Sequence, residues 1–271
     1  MTSVLRYLTR EKFEWLLGDQ GMYVGPASQQ SDESEGIYDA SFVVRDFAKK
    51  AEEITEAPID AKLLEGVNEV LTGFGASRRD SHFISSWYVG EKEDINMWSQ
   101  YGTDGVAILS SSVHLNHYLP EPLKHATEFV FVTYDDAKKA YDVHNPLHYK
   151  NNKYSHENEF RIIFNLTKYQ ILTGYDIDAD RKIYVGDTPS YLSSQMTSSM
   201  SELGRQQSHL VLHKKNPGYI LHYQLKAIVR EIRINPNATD EELEYIRSVC
   251  NQAGLECPVN HSELKKQNSV A

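Results

Sequence analysis

Cysteine is nearly absent: Cys250 and Cys257 are the only 2 in 271 residues. Two are too few for a disulfide framework or a cysteine-ligated zinc site, so both are expected as reduced, half-buried thiols. Long apolar runs are missing as well. No stretch approaches the roughly 18 consecutive apolar residues that a membrane helix needs. The opening Met1-Thr2-Ser3-Val4-Leu5-Arg6 lacks the basic-then-apolar order of a secretory leader. Positive charge is in deficit, with 28 Lys and Arg against 38 Asp and Glu, a net charge of −10. That balance argues against broad attraction to nucleic acid or anionic lipid, but not against a local basic groove. Arg78-Arg79 and Lys214-Lys215 are the compact basic pairs. There is no glycine-rich phosphate loop and no Gly-x-Ser-x-Gly elbow. No Pro/Gly linker and no internal repeat divides the chain. These absences predict a cytoplasmic protein with one domain over residues 1–264 and a flexible tail over 265–271.

What is present builds a core: 40% hydrophobic and 11% aromatic residues. Val4–Leu8 reads as a strand, and Thr9 caps a helix over Arg10–Leu17. Met22–Val24 reads as a short strand, followed by a polar loop to Gly36 whose acidic run is a solvated face. Helical spacing marks Tyr38–Ile54 and Asp60–Leu71. Strands are predicted at His82–Val89, Gly105–Leu109, Thr127–Tyr134, Asn158–Leu166, Ile183–Val185, Leu210–His213, Tyr219–Leu225, Ala227–Ile234 and Val259–Leu264. Asp94–Tyr101 is a short helix, and Ser190–Ser208 a Ser- and Gln-rich helix or lid. Thr239-Asp240-Glu241-Glu242 is a capping box opening a helix to Ala253, closed by Gly254. The fold class expected is α+β: mainly antiparallel twisted sheets, with helices clustered early and late.

Several residues carry chemistry. In Glu157-Asn158-Glu159-Phe160-Arg161-Ile162-Ile163-Phe164, strand alternation sends Phe160, Ile162 and Phe164 into the core. Glu157, Glu159 and Arg161 then share the other face. Paired carboxylates suit acid/base work or stabilisation of a sugar cation. The plainer alternative is an exposed face on which Arg161 neutralises its neighbour. Arg6 sits inside an apolar strand and needs either a carboxylate or a ligand phosphate. Ser85 and Ser86 are poor strand formers in Phe83-Ile84-Ser85-Ser86-Trp87. They leave room for a bulky neighbour, or let a flat ligand approach the backbone. Trp98 and Tyr101 share a helical face, as core or as a nucleotide-stacking wall. His114 and His117 lack a third metal ligand, so no metal is expected.

Segments in order along nearly the whole chain resemble the bacterial domain-of-unknown-function family twenty-nine-seventy-one, itself similar to abortive-infection proteins of the AbiGi type. They are Leu5-Arg6-Tyr7, Met97-Trp98-Ser99-Gln100-Tyr101 with Gly105-Val106-Ala107-Ile108, and Lys153 with Glu157-Asn158-Glu159-Phe160-Arg161. Glu231-Ile232-Arg233-Ile234-Asn235-Pro236 closes the series. The chain departs from that family at Gln30-Ser31-Asp32-Glu33, where an Asn-Asp-Pro turn is usual.

Arg6, then Ser85-Ser86, then Glu157-x-Glu159 also resemble the Arg, Ser-Thr-Ser, Glu-x-Glu pattern of ADP-ribosyltransferases. Trp87 stands where the third hydroxyl belongs. That resemblance implies NAD as substrate, no metal, and an ADP-ribosyltransferase-like fold. Glu159 would stabilise the ribosyl cation and Glu157 would serve the acceptor. Arg6, Tyr7, Ser85, Ser86, Trp98 and Tyr101 would bind NAD. It requires Arg6, Ser85 and Glu159 around one cleft, and any of their side chains on opposite faces of the sheet would sink the enzyme reading. The expected setting is a bacterial toxin or anti-phage effector modifying RNA, DNA or protein, with an antitoxin or regulatory partner. The alternatives are a non-enzymatic sensor, in which Arg6 pairs with Glu157 or Glu159, and a metal-dependent nuclease.

Overall fold

β1 (Ser3–Leu8) is apolar on both faces, Val4 and Leu8 on one and Leu5 and Tyr7 on the other, as a mid-sheet strand must be. A computed structural model describes residues 2–30, 36, 40–135, 145–182 and 201–265, and shows β1 at the centre of a mostly antiparallel sheet in a mixed α/β fold. On one side β1 pairs with β4 (Val106–Ser111), which pairs with β13 (Glu231–Ile234). The parallel strand β14 (Val259–His261) ends that wing. The other wing runs from β2 (Gly21–Pro26) through β12 (Gly218–His222) to β11 (Leu212–Lys215).

β3 (His82–Val89) joins the wings. Along one edge it carries β8 (Glu159–Asn165) over its whole length, and β8 carries β5 (Thr127–Phe131). Its other edge is shared. Phe83 and Ile84 pair with β2, whereas Tyr88 and Val89 pair with β1. These registers leave Ser85, Ser86 and Trp87 with no partner strand on that edge. The sheet is therefore forked at the two serines. Two small ladders lie outside it: β6 (Thr133–Tyr134) with β7 (Tyr149–Lys150), and β9 (Tyr175–Asp176) with β10 (Arg181–Lys182).

α1 (Arg10–Asp19) begins where Thr9 Oγ1 accepts from the Lys12 amide, and buries Phe13, Leu16 and Leu17. They join Trp87, Phe160, Ile162 and Phe164 in the main core on one face of the sheet. On the opposite face Leu5, Tyr7, Ala107 and Leu109 pack under Met97 and Trp98 of α4 (Ile95–Tyr101). The Asp94 carboxylate caps α4, and the buried Glu93 carboxylate accepts from Trp98 Nε1 and from Ser262. This network ties the C-terminal segment to the wall of the site described below. α2 (Ala40–Thr55) and α3 (Ala61–Ser81) form a hairpin on the remaining side. No helix among the described residues is long and apolar enough to cross a membrane.

Several boundaries differ from the sequence expectation. Glu157 is not on the strand. It ends a 3-10 turn over Asn152–Glu157, and Asn158 adopts φ +38° before β8 starts at Glu159. Leu225 and Ile228, three apart and both buried, close a helical turn where one strand was expected to follow another. Ser208–Val211 is likewise a helical turn ahead of β11, and Val132 separates β5 from β6. α3 runs ten residues beyond Leu71, to Ser81. The capping box of Thr239 with Glu242 is present, opening the helix Asp240–Gln252. The expected strand at 183–185, most of the expected lid at 190–208, the acidic run at 31–35 and the tail from 266 lie outside the described residues.

Asn158 sets how Glu157 stands relative to Glu159. Its backbone carbonyl accepts from the Val89 amide at 2.7 Å, and its Nδ2 donates to the Val89 carbonyl at 2.8 Å. Left-handed backbone costs a β-branched residue about 1–2 kcal/mol. Asn158→Val should therefore lower the unfolding free energy read by urea titration by at least that much, and Asn158→Gly by less.

Candidate active site

The β3–β8 register assigns the faces. Tyr88 lies opposite Glu159 and Ser86 opposite Arg161, so these four share one face with Leu5 and Tyr7. Ser85 and Trp87, opposite Ile162 and Phe160, share the other face with Arg6.

On the first face four charges are buried together: Lys150, Glu157, Glu159 and Arg161. Arg161 grips Glu159 with both arms of its guanidinium, Nε to Oε1 and Nη2 to Oε2, each at 2.9 Å. Its Nη1 donates to the Leu147 carbonyl at 2.6 Å. Lys150 lies between the carboxylates, 2.5 Å from Glu157 Oε2 and 3.4 Å from Glu159 Oε2. The Tyr101 hydroxyl donates to Glu157 Oε1 at 3.2 Å, and the Glu159 amide donates to the Tyr134 hydroxyl at 2.8 Å. Burial alone would raise the Glu159 carboxyl. The charge and hydrogen bonds of Arg161, then Lys150 and the Ser86 hydroxyl, outweigh it and hold the group below its ordinary value. Burial, reinforced by the charge of Glu157, pushes the Tyr101 phenol up to about 12.

A cavity of about 290 Å³ opens over this cluster. Glu157, Glu159 and Lys150 form its charged floor, and Tyr7, Tyr88, Met97 and Tyr101 its walls. Gln29 and Gln30 close one side, and the exposed Ser86 lies at the fork. The combination of an aromatic slot, amide groups and an ionised carboxylate suits a flat polar ring joined to a sugar. Its volume sits near the lower end of small-ligand pockets, too small for a whole dinucleotide.

A second cavity of about 270 Å³ lies on the opposite face, lined by Arg6, Lys12, Trp15, Tyr23, Ser85 and Lys215 among others. Both cavities are bounded by Tyr7, Gln30 and Ser86, so they adjoin at the fork. Arg6 reaches across the fork, its Nη2 donating to the Tyr23 carbonyl at 3.1 Å and its guanidinium 5.8 Å from the Trp87 ring centre. Its Nη1 is buried with no hydrogen-bond partner among the described residues. Burial lowers the Arg6 pKa to about 10, leaving the group charged at neutral pH.

The sequence-predicted residues thus divide. Glu157, Glu159, Tyr7, Ser86 and Tyr101 line one cavity. Arg6 and Ser85 face the other side, so the expected single cleft around Arg6, Ser85 and Glu159 is not formed. Strand parity is the reason: Leu5 pairs with Tyr88 and Tyr88 with Glu159, so Arg6, next after Leu5, faces the opposite way. Ser85 is buried and its hydroxyl accepts from Trp87 Nε1 at 3.2 Å, so it does not reach Glu159. Trp98 is core rather than wall. It packs edge-on against Tyr7 at 5.0 Å, and Met97 faces the cavity in its place. Arg6 pairs with neither Glu157 nor Glu159, contrary to the sensor alternative. Lys150, Tyr88 and the Gln29-Gln30 pair were missed. Lys150 stands in a two-residue strand without periodicity, and its one sequence signal is a cation close ahead of Glu157 and Glu159.

Removing Arg161 would strand a buried carboxylate. Arg161→Met should cost about 3–5 kcal/mol at pH 7. In the wild type Glu159 has a depressed pKa, so its stabilising contribution is complete above the ordinary carboxylate value of about 4.3 and is lost as pH falls below that. In the variant burial dominates and raises the same pKa, so stability is lost as pH rises. The deficit, read by urea unfolding, should therefore be smaller at about pH 4 than at pH 7.

No protein-family model matches this sequence, and no curated protein or solved structure matches it either.

Proposed function

We propose that this chain is an NAD-consuming ADP-ribosyltransferase, with its cleavage centre in the Glu159 cavity, modifying a cellular macromolecule as a bacterial toxin or anti-phage effector. The observation that carries the reading is Glu159 itself: a buried carboxylate, kept ionised, at the floor of an aromatic cavity beside a second carboxylate.

In this reading the nicotinamide ring lies between the aromatic walls, and the attached ribose faces Glu159. The N-glycosidic bond breaks with its electron pair leaving on nicotinamide. Glu159 accepts a hydrogen bond from the ribose 2′-hydroxyl and stabilises the positive charge developing at C1′. The acceptor then bonds to C1′, and its proton passes to Glu157. Tyr101 and Lys150 hold Glu157 in place for that step. The arrangement departs from the ADP-ribosyltransferase pattern: the single cleft it requires is not formed, and Ser85 does not reach Glu159. The diphosphate would reach Arg6 by passing through the fork between the two cavities, instead of lying beside Glu159. The unpartnered Nη1 of Arg6 supports that path.

A non-enzymatic nucleotide sensor is the second reading, favoured by the closed charge balance of Lys150 and Arg161 against the two carboxylates. Nicotinamide release separates the two. Wild type should consume NAD in the presence of cell lysate. Glu159→Gln, which keeps the shape and removes the charge, should lose on the order of a hundredfold or more in rate. Glu157→Gln should lose transfer of ADP-ribose into lysate more than cleavage of NAD by water. A folded wild type that binds NAD and releases no nicotinamide would establish the sensor instead.

A further inference from the structure

Lys12, Trp15, Leu16 and Asp19 share one side of α1 by helical spacing, and all four line the second cavity. The helix is anchored by Phe13, Leu16 and Leu17, which are buried in the main core. Trp15 adds nothing to that core and stands 47% exposed at the cavity's edge. Lys215, held by Asp19, has its Nζ 4.9 Å from the centre of the indole ring, which fixes the ring in place. A fixed, half-open indole at the rim of a cavity is a platform on which a flat ring can stack.

The charges around the same cavity point to phosphate. Arg6, Lys12 and Lys215 line it against one carboxylate, Asp19, a net +2 in a chain whose net charge is −10. Asp19 is taken by Lys215, which leaves Arg6 and Lys12 in excess. Arg6 uses Nη2 on the Tyr23 carbonyl, and its buried Nη1 has no hydrogen-bond partner among the described residues. The exposed Lys12 ammonium has no ion-pair partner among them either. A buried donor without an acceptor is costly, and excess cationic charge in a concavity focuses its field on an anion. A simple phosphate or carboxylate would use the two cations and leave the indole idle. A base carried on a diphosphate would use all three.

We propose that the Arg6 cavity is a nucleoside diphosphate site in its own right, with Arg6 and Lys12 on the phosphates and Trp15 under the base. ADP then binds with nothing over Glu159. A consequence that rests on the reading of the Glu159 cavity given above is that ADP displaces NAD and slows its consumption. Calorimetric titration of ADP and of pyrophosphate into the full chain tests the site, with the fold of each variant checked by circular dichroism. The wild type should bind one ADP per chain, and pyrophosphate more weakly. Trp15→Ala should weaken ADP about tenfold and leave pyrophosphate unchanged, since stacking serves only the base. Lys12→Ala and Arg6→Met should weaken both ligands, and Glu159→Gln neither. A folded wild type that does not bind ADP would overturn the proposal. So would ADP binding that is indifferent to Trp15→Ala, or that Glu159→Gln weakens. NAD consumption by a wild type that does not bind ADP would overturn the site and leave the enzyme reading standing. ADP binding of the expected pattern in a protein that releases no nicotinamide would support the site and remove the enzyme reading.

Discussion

A guanidinium with no solvent exposure needs a carboxylate, and Arg161 has one in Glu159 two residues earlier on the same strand face. That pairing is the constraint on which the site depends. It brings a charged group to the start of a strand whose other face, Phe160, Ile162 and Phe164, is core. The grip of both guanidinium arms fixes the Glu159 rotamer and keeps it ionised despite burial. Lys150 then balances Glu157, so four buried charges sum to zero in one compact cluster. Such clusters contribute little to net stability, because the cost of desolvating the ions offsets their attraction. In the proposed function, their place at the base of the cavity serves to orient a ligand.

The fork in the sheet does the rest. β3 shares one edge between β2 and β1, and the unpaired stretch between them carries Ser85-Ser86-Trp87. Small side chains at a gap in a ladder expose backbone and leave space on both faces. One cavity opens on the Glu159 side and another on the Arg6 side, and they adjoin at Ser86, Tyr7 and Gln30. The sheet thus offers an anionic floor and an aromatic slot on one side, and an unsatisfied cation on the other. An elongated ligand with a ring at one end and phosphates further along has complementary groups at both places.

The strands were the most legible part of the sequence. His82–Val89 read as a strand, and capping residues marked the starts of α1 and the helix Asp240–Gln252. Glu159, Ser86 and Tyr101 were legible because polar or aromatic residues stood where apolar packing did not call for them. Lys150 was not legible, since its role comes from a tertiary approach to two carboxylates and leaves no local pattern. The facing of Arg6 failed for a different reason. Which side of a sheet a residue meets depends on inter-strand register, and Arg6 is turned away from Glu159 by the pairings of Leu5 with Tyr88 and of Tyr88 with Glu159. Trp98 shows the usual outcome for a large aromatic on an amphipathic helix, burial in the core.

The account's central claim is that the two cavities bind one extended ligand through the fork, with the nicotinamide riboside end over Glu159. Calorimetric titration of NAD and of nicotinamide riboside into wild type, Tyr101→Ala and Arg6→Met tests it most directly. The account predicts that Tyr101→Ala weakens both ligands, whereas Arg6→Met weakens NAD and leaves nicotinamide riboside unchanged. Binding of NAD that is indifferent to both substitutions, or no binding of either ligand to the folded wild type, would contradict it.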